Sequence, residues 1–595
     1  MGDDRQETKS WYATHWKALH AALIVVVGCG AYCGTFAVPF LFDDYQCIVG
    51  NHVVQHFGAI LELGRYREFG ISEDIRNNLV TRFVTYLTFA GNFRLHGLWV
   101  GGYHAVNLLI HLGNGLLVYA LVRITVTLPS AATAKLAASP HNRPNLTPLA
   151  LVTALVFVSH PIETNGVTYI VQRFASLATF FCLVSLVAYA DAESASAEGR
   201  RRRSHMISLL AALFAMYTKE ISFTFPAVIA LYDITFLEGD ARTRIRRLAP
   251  LFMTMLFLPL TVAYLASLSV VTGGRIEQSL NLVNFADFSR WHYFITQLRV
   301  IVTYLRLLIF PVELNFDYDY PLYTSLLEPQ VLGSALLVAA LLAFGLFLFA
   351  HSRRSTSTPD RLLMKIAAFG IFWFFITLAM EASIIPLEDL IFEYRLYLPS
   401  IGFFTAGSAG GAAVWRRVAG STPRRDRYLA GFVFLLVVSL AVATFSRNRV
   451  WGDETAFWED VVRKSPDKAR PRWNLAESYG KRGLVDETIR QYLIAKTLSA
   501  NGQSQYELGL VYCTLGRYDE AIAEFREALH FRPDMVLIHN AIGRTLLQMG
   551  MLDDAEAAFR TALFCDPDDR EARSQLGFID SQRSSPRRMV PPGGG

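Results

Sequence analysis

Long apolar runs occupy the chain up to about residue 446, and beyond that point hydrophobic residues are spaced as in a soluble protein. A helix needs roughly 20 apolar residues to cross a bilayer, and about eleven runs approach that length. These runs are residues 19–41, 99–123, 147–160, 168–190, 206–218, 221–238, 249–271, 329–350, 363–381, 396–414 and 428–446. The pattern predicts an all-α, polytopic transmembrane helix bundle over residues 1–446 and a separate soluble part after a junction at 447–466.

The soluble part repeats with a period of 33 to 34 residues. Two sets of equivalent positions mark this period, namely the small residues Ala476, Gly509 and Gly543 and the aromatic residues Tyr492, Phe525 and Phe559. The spacing is typical of tetratricopeptide repeats, in which each unit is a helix pair that buries one face on its neighbour. We predict about three units and a capping helix within residues 467–583, and a disordered, Pro- and Gly-rich tail at 584–595.

Composition and charge support a membrane protein. Only 18% of the residues are charged, against about 25% in soluble domains, and 52% are hydrophobic. The net charge of +5 comes largely from arginine-rich loops, so no nucleic-acid partner is needed to explain it. We expect four basic loops in the cytoplasm, at residues 200–203, 242–247, 353–365 and 416–427. This threading puts Asp43 and the repeats on the opposite side, provided that residues 294–310, with Arg299 and Arg306, form an amphipathic or re-entrant helix.

Polar and aromatic residues cluster where the predicted spans reach the non-cytoplasmic side. Asp43 and Asp44 follow the first run directly and begin a long outside loop at residues 42–98. The other members of this set are His104, His160, Glu163, Arg173, Lys219, Arg299, Asp317, Glu393, Tyr394 and Arg395. Charges at the end of a span cost little only where water or a polar cavity reaches them, so the set either marks the membrane interface or lines a site.

Acids, cations and aromatic rings on one membrane face suit group transfer from a lipid-linked donor. A carboxylate can remove the acceptor proton, cations can hold a leaving phosphate and aromatic rings can stack on a sugar. Structural roles compete with this interpretation, since Asn107 and His111 share a helical face and could join helices. Arg395 could be an interfacial anchor, Lys219 could pair with Glu220, and the histidines could be helix caps.

Six motifs resemble the transmembrane and tetratricopeptide repeat-containing (TMTC) proteins and their bacterial relatives, in the same order along nearly the whole chain. They are Phe42-Asp43-Asp44, Gly102-Tyr103-His104-Ala105-Val106-Asn107, His160-Pro161 through Gln172-Arg173, Thr218-Lys219-Glu220, Gln297-Leu298-Arg299 and Tyr394-Arg395-Leu396-Tyr397-Leu398-Pro399. The resemblance implies a bundle like that of the GT-C glycosyltransferases. It also implies transfer of a sugar, mannose in the animal members, from a polyprenyl or dolichyl phosphate to a protein Ser or Thr hydroxyl.

The resemblance further implies roles for individual residues. Asp43 would be the base and Asp44 its partner. The donor phosphate would be bound by Arg395, Arg299, Arg173 and Lys219, and the substrates would be lined by His104, His160, Glu163, Asp317, Glu393 and Tyr394. The repeats would bind the acceptor protein. The expected location is a bacterial inner membrane with the repeats in the periplasm, or the endoplasmic reticulum membrane in a eukaryote.

Two other functions remain open at this point. A diphosphate-linked oligosaccharide donor would need a divalent ion, held by Asp43 and Asp44 with Glu163 or Asp317, whereas a monophosphate donor requires no metal. A non-enzymatic, membrane-anchored scaffold for envelope assembly would use the repeats for docking and leave the outside acids and cations without a role.

Overall fold

The computed structural model describes residues 3–56, 58, 78–128, 146–271, 288–355, 357–383, 386–419, 423–499 and 501–584. The middle of the predicted 42–98 loop and the predicted tail after residue 584 lie outside these residues. The chain forms two compact units. The first contains Met1–Phe316 and Tyr320–Asp453, and the second contains Asp317–Asp319 and Glu454–Gly595. The second unit therefore begins at Glu454, inside the predicted junction.

The described part of the first unit is built from helices and short helical turns, which confirms the all-α class. The helices are α1 (Asp3–Tyr32), α2 (His52–Gln55), α3 (Phe83–His96), α4 (Val100–Thr127), α5 (Thr147–Ser159), α6 (Thr164–Val167), α7 (Arg173–Ser194), α8 (Glu198–Met216), α9 (Phe225–Phe236), α10 (Ala241–Thr254), α11 (Phe257–Val271), α12 (Arg290–Ile309), α13 (Pro329–Ser352), α14 (Thr358–Leu378), α15 (Tyr397–Ala419) and α16 (Pro423–Trp451). Further 3-10 or π turns lie at Thr35–Ala37, Tyr45–Val49, Pro161–Glu163, Ile170–Gln172, Glu220–Thr224 and Glu393–Leu396.

Six helical segments of the described chain are long and apolar enough to cross a membrane. They are Val100–Thr127, Ile170–Ser194, Ala241–Tyr264, Pro329–Ser352, Thr358–Leu378 and Arg424–Trp451. Thr147–Ser159 and Pro161–Val167, bent by 49°, make a seventh if they count as one span. The predicted runs at 206–218 and 221–238 fall on α8, which carries four arginines near its start, and on α9, which has only 12 residues. The total of about eleven spans and their orientation stay predictions.

Polar side chains on α4 join the helices of the first unit. The Asn107 side-chain amide donates to the carbonyl oxygens of Val167 (3.1 Å) and Ile170 (3.2 Å). His111 Nδ1 lies 2.7 Å from the Tyr397 hydroxyl. Both side chains are fully buried, and an interhelical hydrogen bond relieves the cost of a buried polar group. Asn107 and His111 therefore connect helices through hydrogen bonds in this structure.

The predicted helix at 294–310 is confirmed as α12, and its two faces differ. Tyr293, Gln297 and Tyr304 are fully buried on one face. Arg299 is only half-buried and Arg306 is exposed. The buried face carries the side chains that reach the candidate site described below.

The second unit is a stack of helix pairs, α17 (Glu454–Lys464), α18 (Ala469–Lys481), α19 (Val485–Leu498), α20 (Gln503–Thr514), α21 (Tyr518–Phe531), α22 (Val536–Gln548), α23 (Leu552–Cys565) and α24 (Arg570–Ser584). The small residues seen in the repeat are needed where the helices of a pair cross. A Cβ at Gly509 would lie 2.5 Å from the Phe525 ring, and one at Gly543 would lie 2.6 Å from the Phe559 ring. The predicted tetratricopeptide stack is confirmed.

Candidate active site

The turn that carries Asp43 and Asp44 has a strained backbone. Phe42 adopts a φ of 47°, one of two positive φ values found among the described non-glycine residues. Such a conformation costs about 1–3 kcal/mol and persists only where the surrounding structure holds it. The Phe42 ring packs edge to face against Phe316, with 5.8 Å between ring centroids. The surrounding contacts therefore hold Phe42 in this conformation at the start of the turn.

Asp44 is buried and bound to the backbone. Its Oδ1 accepts the N–H of Val171 at 2.7 Å, and its Oδ2 accepts the N–H of Leu41 at 3.0 Å. The side chain is 1% exposed, and burial raises the pKa of Asp44 to about 8. Asp44 thus ties the turn to the Ile170–Gln172 segment.

Asp43 is half-buried and lies beside Tyr169. The Asp43 backbone N–H donates to the Tyr169 hydroxyl at 3.1 Å, and the same hydroxyl interacts with the Asp43 carboxylate. The field of the Asp43 carboxylate also reaches Cys47 and Tyr394. Asp43 is therefore the more exposed member of the acid pair, and Asp44 is the member that binds the backbone of the turn.

Aromatic rings surround this turn. Phe316 is the central ring, with centroids 5.1 Å from Tyr169, 5.6 Å from Trp451 and 6.2 Å from Phe392. Phe392 in turn stacks on Tyr394 at 5.0 Å. Rings of this kind offer both apolar area and faces on which a sugar or a cation can rest.

Lys219 lies next to this aromatic group. Its ammonium is 4.6 Å from the centre of the Tyr394 ring and 3.1 Å from Glu381 Oε1. Burial lowers the pKa of Lys219, and the Glu381 carboxylate opposes that shift. The sequence offered neighbouring Glu220 as an alternative partner of Lys219. In the structure, the ion pair of Lys219 is with Glu381.

Glu220 pairs instead with Arg82. Arg82 Nε donates to Glu220 Oε1 at 3.0 Å, and both side chains are about 30% exposed. The Arg82 guanidinium lies 5.1 Å from the Phe174 ring centre and acts electrostatically on Cys47, the residue that also senses Asp43. This guanidinium is a second cation near the Asp43 turn.

Arg395 is the third cation, and it is buried. Its two terminal nitrogens donate to main-chain carbonyls, at 2.8 Å to Asp389 and 3.3 Å to Leu390. The guanidinium interacts electrostatically with Tyr293, Tyr304 and Tyr394. These hydrogen bonds go to neutral carbonyls, and the Glu381 carboxylate also acts electrostatically on the guanidinium. Both roles of Arg395, phosphate binding and interfacial anchoring, stay predictions.

Arg173 and Arg299 have other contacts, although the charge of Arg173 also acts on Asp44. Their assignment to the donor phosphate stays a prediction. Arg173 is fully buried and donates to the side-chain oxygens of Asn92 (2.5 Å) and Asn107 (2.6 Å), to Thr88 and to the Tyr103 carbonyl. Four of its five N–H groups are therefore used inside the bundle. Arg299 lies two residues beyond Gln297, on another side of α12, where it acts on Tyr320.

Asp317 belongs to the second unit, and its assignment as a substrate-lining residue stays a prediction. Its carboxylate accepts two hydrogen bonds from Arg470, at 2.6 and 2.7 Å, and one from Lys468 at 2.6 Å. The main-chain oxygen of Asp317 accepts from the Ser465 hydroxyl at 2.7 Å. A carboxylate that accepts three charge-assisted hydrogen bonds from two cations forms a strong ion pair within the second unit.

Both predicted substrate-lining histidines are interior hydrogen-bonding residues. His104 is fully buried, and its Nε2 donates to the Val38 carbonyl at 2.9 Å. His160 Nδ1 accepts the Ile162 N–H and its Nε2 donates to the Leu308 carbonyl, both at 3.2 Å. The alternative of a cap or a satisfied interior residue therefore describes them better than a substrate-lining role.

Glu163 and Glu393 are also buried. Each is 1% exposed. Glu393 accepts the Asn315 backbone N–H at 2.6 Å and so fixes the segment that leads to Phe316. Glu163 interacts electrostatically with Tyr32 and Tyr397 in the bundle interior. Their assignment as groups lining the substrate stays a prediction.

The structure adds residues that sequence reasoning missed, chiefly Glu381, Tyr169 and Phe316. Glu381 is a single acid at the end of the apolar run at 363–381, a signal similar to the one that drew attention to Asp43. Tyr169 and Phe316 gave no such signal, because aromatic residues are common throughout the chain, with 42 Phe and 25 Tyr.

Known proteins match both parts of the chain. Models of the tetratricopeptide repeat match residues 474–536 and 514–576. The protein O-mannosyl-transferases Tmtc3 and Tmtc1 of Drosophila melanogaster are 22% identical over 561 residues and 25% identical over 604 residues. These alignments cover 85% and 87% of this chain and 58% and 63% of the relatives. Human protein O-mannosyl-transferase TMTC3 is 22% identical, with 86% of this chain and 55% of the relative covered.

The chain spans about three-fifths of the length of the curated relatives that it matches. Among solved structures, the Cut9–Hcn1 hetero-tetramer covers 87% of this chain at 14% identity and a TM-score of 0.22, a value too low to carry any argument. Residues 474–576 are tetratricopeptide repeats, and the TMTC resemblance seen in the motifs is confirmed by O-mannosyl-transferase homologues that align with most of the chain.

Proposed function

We propose that this chain is a membrane protein O-glycosyltransferase of the GT-C type. It transfers a sugar from a polyprenyl-phosphate donor to a Ser or Thr hydroxyl of a protein on the non-cytoplasmic side of the membrane. The observation that carries the proposal is the half-buried Asp43, held by a strained turn between Tyr169 and the group formed by Lys219, Tyr394 and Arg395. The relatives named protein O-mannosyl-transferases favour mannose as the sugar.

The reaction is an inverting displacement at the anomeric carbon. The Asp43 carboxylate accepts the proton of the Ser or Thr hydroxyl as the hydroxyl oxygen bonds to that carbon. The bond between the carbon and the phosphate oxygen breaks, and its electron pair leaves with the phosphate. Asp44, bound to the Leu41 and Val171 backbone, keeps the turn in place while the proton moves to Asp43.

The cations stabilise the charge that grows on the leaving phosphate. Arg395 is the first candidate, because its hydrogen bonds go to neutral carbonyls. Lys219 is the second, since its ammonium lies 4.6 Å from the centre of the ring of Tyr394, which is beside Arg395 in the sequence. Donors placed where charge develops typically contribute about 3–4 kcal/mol each to catalysis. A polyprenyl-monophosphate leaving group therefore needs no metal in this scheme.

Substitution of Asp43 tests the proposal. Asp43→Asn keeps the size of the side chain and removes the base, so we expect transfer to fall by at least about 100-fold with unchanged thermal unfolding. The assay is mass spectrometry of an acceptor protein after incubation with polyprenyl-phosphate mannose and the full chain. Glu388→Gln, an exposed acid in the segment before Tyr394, is the matched control. Near-normal turnover by Asp43→Asn contradicts the assignment of the base.

The diphosphate-donor alternative is tested in the same assay. In the ion set suggested for it, the Asp317 carboxylate is bound by Arg470 and Lys468, and Glu163 is buried in the bundle interior. With a monophosphate donor, we expect transfer to continue in excess chelator. When a diphosphate-linked oligosaccharide is supplied instead, transfer that the chelator abolishes and added metal restores would favour the diphosphate donor.

The scaffold is the second candidate function, and the repeat stack is the observation that favours it. A scaffold would bind its partner equally well in the Asp43→Asn variant and would change no glycan in either form. Comparison of protein glycans in cells that carry the wild-type chain or Asp43→Asn separates the two functions.

A further inference from the structure

Glu381 is an acid for which neither the sequence motifs nor the proposed reaction provides a role. It lies three residues beyond the end of α14, and its Oε1 is 3.1 Å from the Lys219 ammonium. The two side chains are only 12% and 8% exposed. A buried ion pair contributes little net stability, but the loss of one partner leaves an uncompensated buried charge. The charged form of Lys219 therefore depends on Glu381.

The backbone of Glu381 is fixed as firmly as its side chain. Its carbonyl oxygen accepts the Tyr293 hydroxyl of α12 at 2.6 Å, and its N–H donates to the Leu378 carbonyl at 3.1 Å. Tyr293 interacts in turn with Arg395. One residue therefore contacts Lys219 directly and Arg395 through Tyr293, the two cations assigned to the donor phosphate.

The charged and titratable groups that face Lys219 come from several segments. Glu381 raises the pKa of Lys219, Arg82 lowers it and Glu220 raises it, while burial lowers it most. The Tyr394 ring lies on the remaining side. Of these groups, Glu381 most strongly offsets the lowering of the Lys219 pKa by burial.

We propose that Glu381 is a positioning residue, which holds the Lys219 ammonium beside the Tyr394 ring in the orientation that meets the donor phosphate. This inference rests on the proposed function, because it assigns Lys219 to that phosphate. When the donor binds, the ammonium lies between two anions, the phosphate and Glu381, and the phosphate gains a cation that needs no rearrangement of the backbone.

The test compares the donor dependence of Glu381→Gln and wild type between pH 6 and 8.5. The full chain is assayed with polyprenyl-phosphate mannose as the varied substrate. In Glu381→Gln the buried Lys219 loses its carboxylate and gives up its proton at lower pH, so we expect the KM for the donor to rise by about tenfold per pH unit above that point. We expect the kcat to change much less. Wild type and the exposed control Glu388→Gln keep a flat KM over this range.

Two further variants make the outcome decisive. Lys219→Gln should raise the KM at every pH, and addition of Glu381→Gln to it should produce no further rise and no pH dependence. Glu381→Asp keeps the charge on a side chain one methylene shorter and should show a smaller rise, which also serves if Glu381→Gln does not accumulate. A flat KM in both Glu381 variants, with only a lower kcat or yield, overturns the inference. An inactive wild type overturns the proposed function and this inference with it.

Discussion

Asp44 gives the sharpest prediction about the site, because the structure assigns it to the fold while its neighbour does the chemistry. Asp44→Asn keeps one carbonyl oxygen but replaces the other carboxylate oxygen with an NH2 group. One of the backbone N–H groups of Leu41 and Val171 then faces a donor in place of an acceptor. An orphaned buried donor costs about 1–3 kcal/mol, so we expect a loss of that size in the free energy of unfolding at pH 5.

The pH dependence of the loss has a definite sign. Burial raises the pKa of Asp44 from 3.8 to about 8, so the folded protein binds this proton more tightly than the unfolded chain. A carboxyl of this kind stabilises the fold fully below its unfolded pKa, and the contribution is lost as the pH rises through the folded value. The complete shift corresponds to a free energy of the order of 5 kcal/mol, and we expect at least about 1.5 kcal/mol of it between pH 5 and 8.

Thermal unfolding of the detergent-solubilised chain at pH 5 to 8 measures this difference. The free energy of unfolding of wild type should fall between pH 5 and 8, and that of Asp44→Asn should fall less. The difference in free energy between the two proteins therefore narrows as the pH rises. Asp240→Asn is the control, since Asp240 is an exposed helix cap whose pKa is lowered and which does not titrate there. A gap that stays constant from pH 5 to 8 refutes the protonated, structural Asp44.

Three other outcomes follow from the packing. Arg173→Met removes four hydrogen bonds and should lower the free energy of unfolding by at least about 3 kcal/mol, whereas Arg299→Met should change it by less than about 1 kcal/mol in chemical denaturation. Gly509→Ala places a methyl group against the Phe525 ring and should destabilise the repeat stack by about 1–3 kcal/mol in calorimetry, while Gly577→Ala, with open space around it, should be neutral or stabilising. Asp317→Asn leaves Arg470 and Lys468 without their carboxylate and should speed proteolysis of the second unit, an effect that Arg470→Ala should not increase further in the double variant. Unchanged stability of Arg173→Met would contradict the role of its four hydrogen bonds. Equal effects of the two glycine substitutions would contradict the close approach of Gly509 to Phe525. Additive effects of the Asp317 and Arg470 substitutions would contradict their ion pair.

The repeats and the membrane helices could be predicted because each depends on a periodic pattern. Gly509 and Gly543 recur because a ring from the second helix of each pair occupies the space of a side chain. The apolar runs are equally direct, since a bilayer span needs a minimum length. The number of spans could not be fixed in this way. The apolar part of α8 is preceded by four arginines within the same helix, and α9 has only 12 residues, which is too short for a complete span.

The candidate site could be predicted only in part, because a charged residue does not reveal its partner. Arg173 and Arg395 both stand next to apolar segments, yet Asn92 and Asn107 satisfy the first and main-chain carbonyls bind the second. Asp43 and Asp44 are adjacent in the chain, yet one meets Tyr169 and the other meets two backbone N–H groups. The contacts of Arg173, of Asp43 with Tyr169 and of Asp44 with Val171 join residues more than 60 positions apart, which no local pattern records.

The distribution of acids around the cations explains why the proposed site can bind an anion at all. Arg82 pairs with Glu220 and Lys219 pairs with Glu381, so two of the three cations are already balanced. Of the three cations, Arg395 is the one whose hydrogen bonds go to neutral carbonyls rather than to a carboxylate, although the field of Glu381 also reaches it. An arriving phosphate therefore displaces no carboxylate from the hydrogen-bonding positions of Arg395. Arg395→Gln should therefore weaken donor binding more than Arg82→Gln does, and equal effects of the two substitutions would contradict this account of the charge.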